Sequence, residues 1–446
     1  MKTFKKNLEI FPVILCCIFL ISNSCSMQGK RPYLDAAVEA AGWIEFSAVQ
    51  SEFGTVWPAV PGESVSPDNW LYSGNSGIVL FFLEMFYATG DVRYLDAAQA
   101  GADHLLGVLS AEESPGFYSG ISGIGFALFE TYKAKKDVRY LEGFKTCLQF
   151  LRDSAKEIGQ GIEWISTMDL ISGTAGTGLF LIYAYQETED QSLLDYAELA
   201  GKRLIEMGET VENGTRWAMD PNYPRYMPNF SHGTAGIAYF LASLYMETKK
   251  EEFLHAALAG ARYLKAAAVT EGDICLIFHH EPEGEDLFYL GWCHGPVGTT
   301  RLFYRLFQIT QDKEWMDWIE MGAKAILESG IPDQETEGFW NNVGVCCGSA
   351  GVADFFLSLY DLTQKKDYID FARHLTRDLL SKSTHTDSGM KWIQAEHRAR
   401  PEFLQAQTGL MQGAAGIGLW LLRLDAFDQK SVLQIIFPDN PFSFVR

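Results

Sequence analysis

Hydrophobic residues along this chain gather in seven runs that share one pattern. Each run follows two glycines in the form x-x-G-x-x-G, as in "YSGNSGIVLFFLEMF" and "SHGTAGIAYFLASLY". The first glycines of the motifs are Gly74, Gly120, Gly173, Gly233, Gly295, Gly348 and Gly413. A run that is apolar nearly all round predicts a buried helix, and glycines at its start allow neighbouring helices to approach closely. The pattern therefore predicts seven buried helices in a repeated unit.

A second, amphipathic pattern follows the buried runs after a short turn. In "YLDAAQAGADHLLGVL", residues Leu95, Ala98, Ala102, Leu105 and Leu106 fall on one helical stripe. Turns such as "ATGDVRY" and "AKKDVRY" place an acidic residue where it caps the next helix or lies in its first turn. These segments predict outer helices, the first of which comes from residues 32–49.

The two patterns together predict a closed ring. Units of an outer and an inner helix bury their faces only by stacking on neighbouring units. Because the inner helices are apolar on all sides, a closed double ring leaves less apolar surface exposed than an open solenoid does. We therefore predict an all-α fold, an α/α toroid of seven outer and seven inner helices. It occupies residues 32–446 as a single domain, with the last helix ending near Asp428.

Long links precede several of the later glycine motifs. They include "WAMDPNYPRYMPNF", "VTEGDICLIFHHEPEGEDLFYLGW" and "KSTHTDSGMKWIQAEHRARPEFLQAQTG", which are polar, aromatic and rich in Pro and His. Long loops on a rigid scaffold usually build the functional site. All of these links precede inner helices, so we expect them to emerge on the same face of the ring.

Composition and charge narrow the range of partners. The chain has 446 residues, of which 47% are hydrophobic, so a large core is possible. Lys and Arg number 36 against 57 Asp and Glu, a net charge of −21. That charge argues against nucleic acid or an anionic membrane as the main partner. It suits a neutral or basic ligand, although a merely soluble surface is the favoured explanation. We expect a monomer.

The first residues predict an export signal of the lipoprotein type. "MKTFKK" supplies a basic start, and residues 11–22 are an apolar run too short to span a membrane as a mature helix. The run ends at "ISNSC", so residues 1–24 are read as the signal, Cys25 as the lipidated residue and 25–31 as a short linker. Membrane contact would come only through this lipid, on an exported periplasmic-side or cell-surface protein. Ordinary cleavage and an uncleaved anchor remain alternatives.

Three cysteines occupy matching positions of two repeats. Cys293 lies two residues before Gly295, Cys346 lies two residues before Gly348, and Cys347 follows. The three thiols should therefore converge at the mouths of neighbouring inner helices. Three thiolates so close repel one another unless a cation lies among them, and zinc is the usual ion for such a set. Three protein ligands would leave one position open for chemistry. The alternatives are a disulfide or inert buried thiols.

Two histidines lie at related positions. His294 follows Cys293 directly, and His232 stands in the equivalent place of the preceding repeat, in "SHGTAG". A lone buried histidine is usually part of the core. Two beside the same cysteines favour a functional role.

These motifs resemble the lanthionine synthetase C-like family, the LanC-type cyclases. The resemblance rests on "GWCHG", "CCGSAG", "SHGTAG" and the repeated glycine motifs, and it covers nearly the whole chain after the signal. It implies a seven-fold α/α barrel with a catalytic Zn²⁺ held by Cys293, Cys346 and Cys347. In many family members the third ligand is His, so this chain has the Cys-Cys-Gly variant.

The resemblance also implies three catalytic residues. They are His232 and His294, either of which could protonate an enolate, and Asp169 in "MDLISG", which could orient a histidine. Some cyclases have an Arg a few residues before the first cysteine, whereas Tyr289 stands there in this chain. The export signal is a further departure from the family.

Three functions follow as hypotheses. The first is a zinc enzyme that activates a cysteine thiol for addition to dehydroalanine or dehydrobutyrine, forming a thioether in a peptide. The second is a zinc module that binds a peptide or glutathione-like thiol without ring formation. The third is a glycosidase-like α/α barrel, which needs two opposed carboxylates. The available carboxylates are Glu163, Asp169, Asp220 and Glu396, and no pair of them stands out.

Overall fold

Fourteen α-helices alternate between an outer and an inner layer in the described part of the chain. The structure is a computed structural model that describes residues 30–63, 68–223 and 225–442. The predicted signal and lipid site, residues 1–24 and Cys25, lie outside these residues. The helices are α1 Pro32–Phe46, α2 Asn75–Thr89, α3 Val92–Val108, α4 Ile121–Lys135, α5 Val138–Ser154, α6 Thr174–Thr188, α7 Gln191–Met207, α8 Thr234–Thr248, α9 Glu251–Ala267, α10 Pro296–Thr310, α11 Glu314–Glu328, α12 Ser349–Thr363, α13 Lys366–Ser381 and α14 Ala414–Asp428.

The prediction of an α/α toroid is confirmed. The even-numbered helices form the inner layer, and the first six of them each pack on the outer helix that follows in the chain. The last inner helix, α14, packs on α1 and also on α2, which closes the ring. Residues from Pro32 onward form one compact unit. No helix among the described residues is both long and apolar enough to cross a bilayer.

The glycine motifs start the inner helices as predicted. The first glycine of each motif is the residue before the helix, and the second lies in its first turn. A Cβ on Gly298, for example, would lie 1.9 Å from the carbonyl oxygen of Trp292, and the second glycine of every other motif meets the carbonyl six residues earlier in the same way. Only glycine allows this contact.

A circle of backbone hydrogen bonds joins the seven motifs. In six of the seven bonds, the residue two positions before a first glycine donates its N–H to the carbonyl of the equivalent residue in the next repeat. In the remaining bond the donor is Leu170, one residue before the equivalent position, Ile171. The bonds run Tyr72 to Tyr118, Tyr118 to Ile171, Leu170 to Ser231, Ser231 to Cys293, Cys293 to Cys346, Cys346 to Met411 and Met411 to Tyr72, with lengths of 2.9 to 3.2 Å. The N-terminal ends of the inner helices therefore lie side by side around one face, which we call the glycine face.

Short antiparallel hairpins follow several outer helices, in segments for which only loops were expected. The strand pairs are β1 Val49–Gln50 with β2 Thr55–Val56, β3 Lys156–Ile158 with β4 Gly161–Glu163, β5 Glu209–Val211 with β6 Gly214–Arg216, β7 Ala268–Glu271 with β8 Ile274–Ile277, β9 Ser383–Thr386 with β10 Gly389–Trp392, and β11 Gln394–Ala395 with β12 Leu404–Gln405. The second strand of the first five pairs packs on the next outer helix around the ring.

The chain after α14 turns into the lumen of the ring instead of ending outside it. The hydroxyl of Tyr239 donates to the carbonyl of Pro438 at 3.0 Å. The guanidinium of Arg301 donates to the carbonyl and the carboxylate of Asp439, at 3.0 and 2.8 Å. Phe437 packs on Phe126 of α4. A cavity of about 430 Å³ lies between this tail and the walls of the lumen.

Candidate metal centre

Three thiols meet on the glycine face where α10 and α12 begin. The Sγ atom of Cys347 lies 3.2 Å from that of Cys293 and 3.5 Å from that of Cys346, and all three atoms lie within 4.8 Å of one another. None of the three is in a disulfide, and all three side chains are buried. The expected convergence of the thiols is therefore present in the structure.

The backbone circle fixes this geometry. The carbonyl of Cys346 accepts the N–H groups of Trp292 and Cys293, at 2.8 and 3.2 Å. The N–H and the hydroxyl of Ser231 both donate to the carbonyl of Cys293 at 3.0 Å. Because Cys293 and Cys346 are themselves members of the circle, closing the ring brings their side chains together.

The size and chemistry of the cluster fit a metal ion. An ion bound tetrahedrally to sulfurs at about 2.3 Å separates its ligand atoms by roughly 3.8 Å, close to the observed sulfur separations. The donor set is all thiol, which soft and borderline ions prefer. Among the described residues, this trio is the set of Cys, His, Asp or Glu side chains whose ligand atoms lie close enough together to share one metal ion.

Hydrogen bonding favours the thiolate form at Cys346 over the other two cysteines. The thiols of Cys293 and Cys347 donate to Cys346 and, with the hydroxyl of Tyr72, hold the pKa of the Cys346 thiol well below its usual value. Hydrogen bonds to Cys346 and Cys347, followed by burial, raise the pKa of Cys293. A hydrogen bond with Cys293 lowers the pKa of Cys347, but the hydrogen bond to Cys346 and burial outweigh it and raise that pKa. A cation is therefore needed before all three sulfurs can be thiolates together.

Tyr72 and Gln412 line the cluster and were missed from the sequence. The side-chain amide of Gln412 donates to the Tyr72 hydroxyl at 3.2 Å and points toward Cys347 Sγ at 3.9 Å. Asn342 holds the other end of this amide at 2.9 Å. Tyr72 stands two positions before Gly74, as Cys346 does before Gly348, and Gln412 stands one position before Gly413, as Cys347 does before Gly348. An alignment of all seven motifs would therefore have revealed both residues.

His232 pairs with the buried carboxylate of Asp169 beside the thiols. His232 Nδ1 lies 2.6 Å from Asp169 Oδ2. The other carboxylate oxygen accepts the N–H groups of Ser172 and Gly173, at 2.8 and 2.9 Å, so the carboxylate is held in place. Burial alone would lower the pKa of His232, but the hydrogen bond and charge of Asp169 outweigh it and raise the pKa.

His294 has a different environment. Its ring is buried, and neither nitrogen has a hydrogen-bond partner among the described residues. It stacks on His279 with ring centres 4.0 Å apart and lies 5.7 Å from the ring of His232. Burial, followed by the neighbouring histidines, holds its pKa well below the usual value. The site thus contains one histidine that favours the charged form and one that favours the neutral form.

His279, His280 and Tyr289 complete a wall above His294. The Nδ1 atoms of His279 and His280 are 2.9 Å apart, and Tyr289 packs edge-on against His279 and His294. The two histidines come from the long link before α10, which was expected to build the site, although neither was singled out. Tyr289 lies at the site, where its hydroxyl is hydrogen-bonded by Arg398 from the β11–β12 loop.

The carboxylates considered for a glycosidase have other partners. Glu163 pairs with Arg203 at 2.7 Å, and Asp220 accepts from Ser166 at 2.5 Å. Glu396 accepts from Gln407 at 2.8 Å. Since Asp169 is held by His232, none of the four is left as a free member of an opposed pair.

Comparisons with known proteins agree with this architecture. Residues 66–437 match the family model described as "Lanthionine synthetase C-like protein". The chain is 21% identical over 305 residues to "Glutathione S-transferase LANCL1" of Danio rerio, covering 67% of this chain and 71% of the relative.

Solved structures show the same fold. Nisin cyclase superposes with a TM-score of 0.62 at 16% identity, covering 89% of this chain and 94% of its own. A GH76 α-mannanase of Bacteroides thetaiotaomicron superposes with a TM-score of 0.51 at 11% identity, covering 89% and 96%. At these identities the likeness is one of fold alone.

Proposed function

Because this chain belongs to the lanthionine synthetase C-like family, we propose that it is a zinc-dependent enzyme that adds a cysteine thiol to dehydroalanine or dehydrobutyrine in a peptide, forming a thioether. The observation that carries the proposal is the buried trio of Cys293, Cys346 and Cys347. A thiol-only donor set with three members suits Zn²⁺ and leaves one coordination position for a substrate sulfur.

The reaction makes and breaks defined bonds. The substrate S–H loses its proton, and the sulfur forms a bond to the β-carbon of the dehydroamino acid. The π electrons of the C=C bond move to the α-carbon and its carbonyl as an enolate. A proton then forms the new C–H bond at the α-carbon. When bound, Zn²⁺ would lower the pKa of the incoming thiol.

His232 suits the protonation of the enolate. The hydrogen bond and charge of Asp169 raise its pKa, which favours the proton-carrying form of the ring. His294 lies 5.7 Å from His232 and has unpartnered ring nitrogens, so it is able to hydrogen-bond the substrate. Burial lowers the pKa of His294 and makes it a weak base, so the thiol proton would leave to water.

A dehydrated peptide with one cysteine tests the proposal. Incubation with the zinc-loaded protein is expected to remove the free thiol without changing the peptide mass, because ring closure is an addition. A matched peptide with Ala in place of the dehydroamino acid should keep its thiol. A linear product that retains both its thiol and its double bond would contradict the proposal.

Addition of a small thiol to a dehydroamino acid is a second candidate. The name of the Danio rerio relative, a glutathione S-transferase, favours it. With glutathione present, this activity would increase the peptide mass by that of the thiol, whereas ring closure would not. The same experiment therefore separates the two candidates.

We also propose that the protein acts outside the cytoplasm, tethered through a lipid at Cys25, and as a monomer. Metabolic labelling with a radioactive fatty acid is expected to mark the wild-type chain and not the Cys25→Ala variant. Equal labelling of both would contradict the tether. A mass above that of one chain in detergent solution would contradict the monomer.

A further inference from the structure

The cavity in the lumen is a site separate from the thiol cluster. It has a volume of about 430 Å³, and its walls come mainly from α12, α14 and the tail, with apolar residues such as Leu357, Leu419 and Leu433. None of the three cysteines, His232 or His294 is among the described residues that line it. The volume lies within the range of small-molecule sites, roughly 300–1,000 Å³.

The cavity opens at the end of the ring opposite the glycine face. Helices α12 and α14 run away from the glycine face, so their last residues lie at that opposite end. The lining includes Phe427 in the last turn of α14 and the exposed Lys430 just after it. Val432 and Ile436 also line the cavity and are 42% and 44% exposed. The cavity therefore reaches solvent here through a mouth with apolar sides, which favours an apolar ligand.

Most of the acidic groups in the lining already have partners. Asp439 accepts from Arg301 at 2.8 Å, and Asp354 forms an ion pair with Arg423. Each pair is neutral as a unit. The carboxyl of Glu84 accepts a backbone N–H of the tail, and burial raises its pKa to about 7.

Asp361 is the fourth acid among the described lining residues. It lies in the last turn of α12, at the mouth end of the cavity. Its Oδ2 atom is buried and has no hydrogen-bond partner in the described part of the chain. Burial raises its pKa to about 6, against the charge of Arg423, so the carboxylate form still predominates at neutral pH. A buried carboxylate oxygen without a donor is unfavourable, and a ligand that brings a donor would relieve this cost.

We propose that the lumen cavity binds a small apolar amine, with its hydrocarbon part between α12, α14 and the tail and its ammonium group on the carboxylate of Asp361. The chain would extend from the mouth toward Trp292 and Met411, which line the cavity near the glycine face. A neutral or anionic molecule with the same chain would satisfy the apolar walls but not the carboxylate charge. The inference is independent of the proposed function, because no residue of the thiol cluster takes part.

Isothermal titration of the full chain with three ten-carbon molecules tests the inference. The probes are decylamine, decanol and decanoate, which share one chain and carry a positive, neutral and negative head. At pH 6.5 Glu84 is mostly protonated, so Asp361 supplies the charge that separates the probes. Decylamine is expected to bind about tenfold more tightly than decanol, and decanoate more weakly than both. Binding of none of the three, or tighter binding of decanoate than of decylamine, would overturn the inference.

The Asp361→Asn variant locates the site. Its amide has nearly the same shape but no charge, so the preference for decylamine over decanol should fall about tenfold while decanol binding is kept. Retained decanol binding also shows that the cavity is intact. Asp367→Asn is the matched control, because it removes the same charge from an exposed residue in the first turn of α13 and should leave the preference unchanged. An unchanged preference in Asp361→Asn, or an equal loss in both variants, would contradict the role of Asp361.

Discussion

At the scale of single residues, the three sulfurs should act as one unit. The Cys347→Ala variant is expected to lower bound zinc from about one ion per chain to a small fraction, because two thiols at the mouth of a ring cannot replace three. Elemental analysis of dialysed protein measures this.

Cys147→Ala is the matched control for zinc loss. Cys147 is a buried thiol on α5, outside the trio that forms the candidate metal centre. The Cys147→Ala variant should bind as much zinc as the wild type. Any zinc loss caused merely by removing a buried thiol would appear in this variant. Zinc retained in full by Cys347→Ala would remove the basis of the proposed function.

The pair of Asp169 and His232 gives a second prediction at this scale. In Asp169→Asn the amide oxygen is still able to accept the N–H groups of Ser172 and Gly173, but the negative charge is lost. Burial then dominates and the pKa of His232 falls. The protonated form therefore disappears at lower pH, so the alkaline limb of the rate profile should shift to lower pH.

Histidine NMR titration of Asp169→Asn checks the same shift without turnover. An unchanged His232 titration would show that the Asp169 charge does not control this ring.

Position within the repeats, together with residue type, made part of the site predictable from sequence. The cysteines, His232 and His294 stand at equivalent points of repeats, so their convergence follows from the ring. Tyr72 and Gln412 obey the same rule, but their residue types carry no chemical signal alone. His279, His280 and Arg398 come from long links whose paths are set by contacts distant in sequence, so no spacing rule places them.

At the scale of elements, a four-residue pattern links neighbouring outer helices. The sequences "GTVW", "GIEW", "GTRW" and "GMKW" end the second strands of four hairpins. Their glycines Gly54, Gly161, Gly214 and Gly389 lie where a Cβ would be 2.1 to 2.2 Å from a carbonyl of the next outer helix. In the last three, the indole N–H of the Trp donates to the end of the preceding outer helix. Each such hairpin thus ties one outer helix to the next.

Two of these tryptophans allow a matched stability test. Trp217 donates its indole N–H to the carbonyl of Leu204 at 2.6 Å, whereas the indole N–H of Trp57 has no partner among the described residues. Both side chains are buried, so replacement by Phe removes a similar volume. Trp217→Phe should therefore lower the free energy of unfolding by about 1–2 kcal/mol more than Trp57→Phe, the cost of leaving a buried carbonyl unpaired. Urea denaturation measures both values, and equal losses would contradict a role for this bond.

The hairpins also show where periodicity stops being informative. The inner and outer helices are long and regular, so their apolar spacing predicts them. The strands are two to four residues long and lie in polar segments, where an alternating pattern has too few positions to be seen. The sequence signal for these hairpins lies instead in their turn residues, such as those in "ENGT" and "TDSGM".

At the scale of the whole molecule, the ring is closed in three ways. The backbone circle joins the glycine face, α14 packs between α1 and α2, and the tail after α14 fills part of the lumen. The first two follow from the repeat pattern. The tail does not, because "SVLQIIFPDNPF" has neither helical nor strand periodicity and gains its position only from the lumen that the helices create. Its buried contacts connect the end of the chain to α2, α4, α8 and α10.

The contact between Glu84 and the tail gives the molecule a predictable response to pH. Glu84 lies on α2, is 2% exposed and accepts the N–H of Ile435. Burial raises its pKa from 4.5 to about 7, against the backbone N–H groups that lower it. Between these two values the folded chain holds a proton that the unfolded chain has lost. Stability should therefore fall as pH rises from about 4.5 to about 7, by about 3 kcal/mol for this group.

The Glu84→Gln variant isolates this contribution. Its amide oxygen is still able to accept from Ile435, but it carries no charge at any pH. The free energy of unfolding of the variant should match that of the wild type near pH 4 and exceed it by up to about 3 kcal/mol at pH 8. Denaturant titrations of both proteins at several pH values measure the difference, from which other titrating groups cancel. A difference that stays constant from pH 4 to pH 8 would mean that the tail is not docked on a protonated carboxyl.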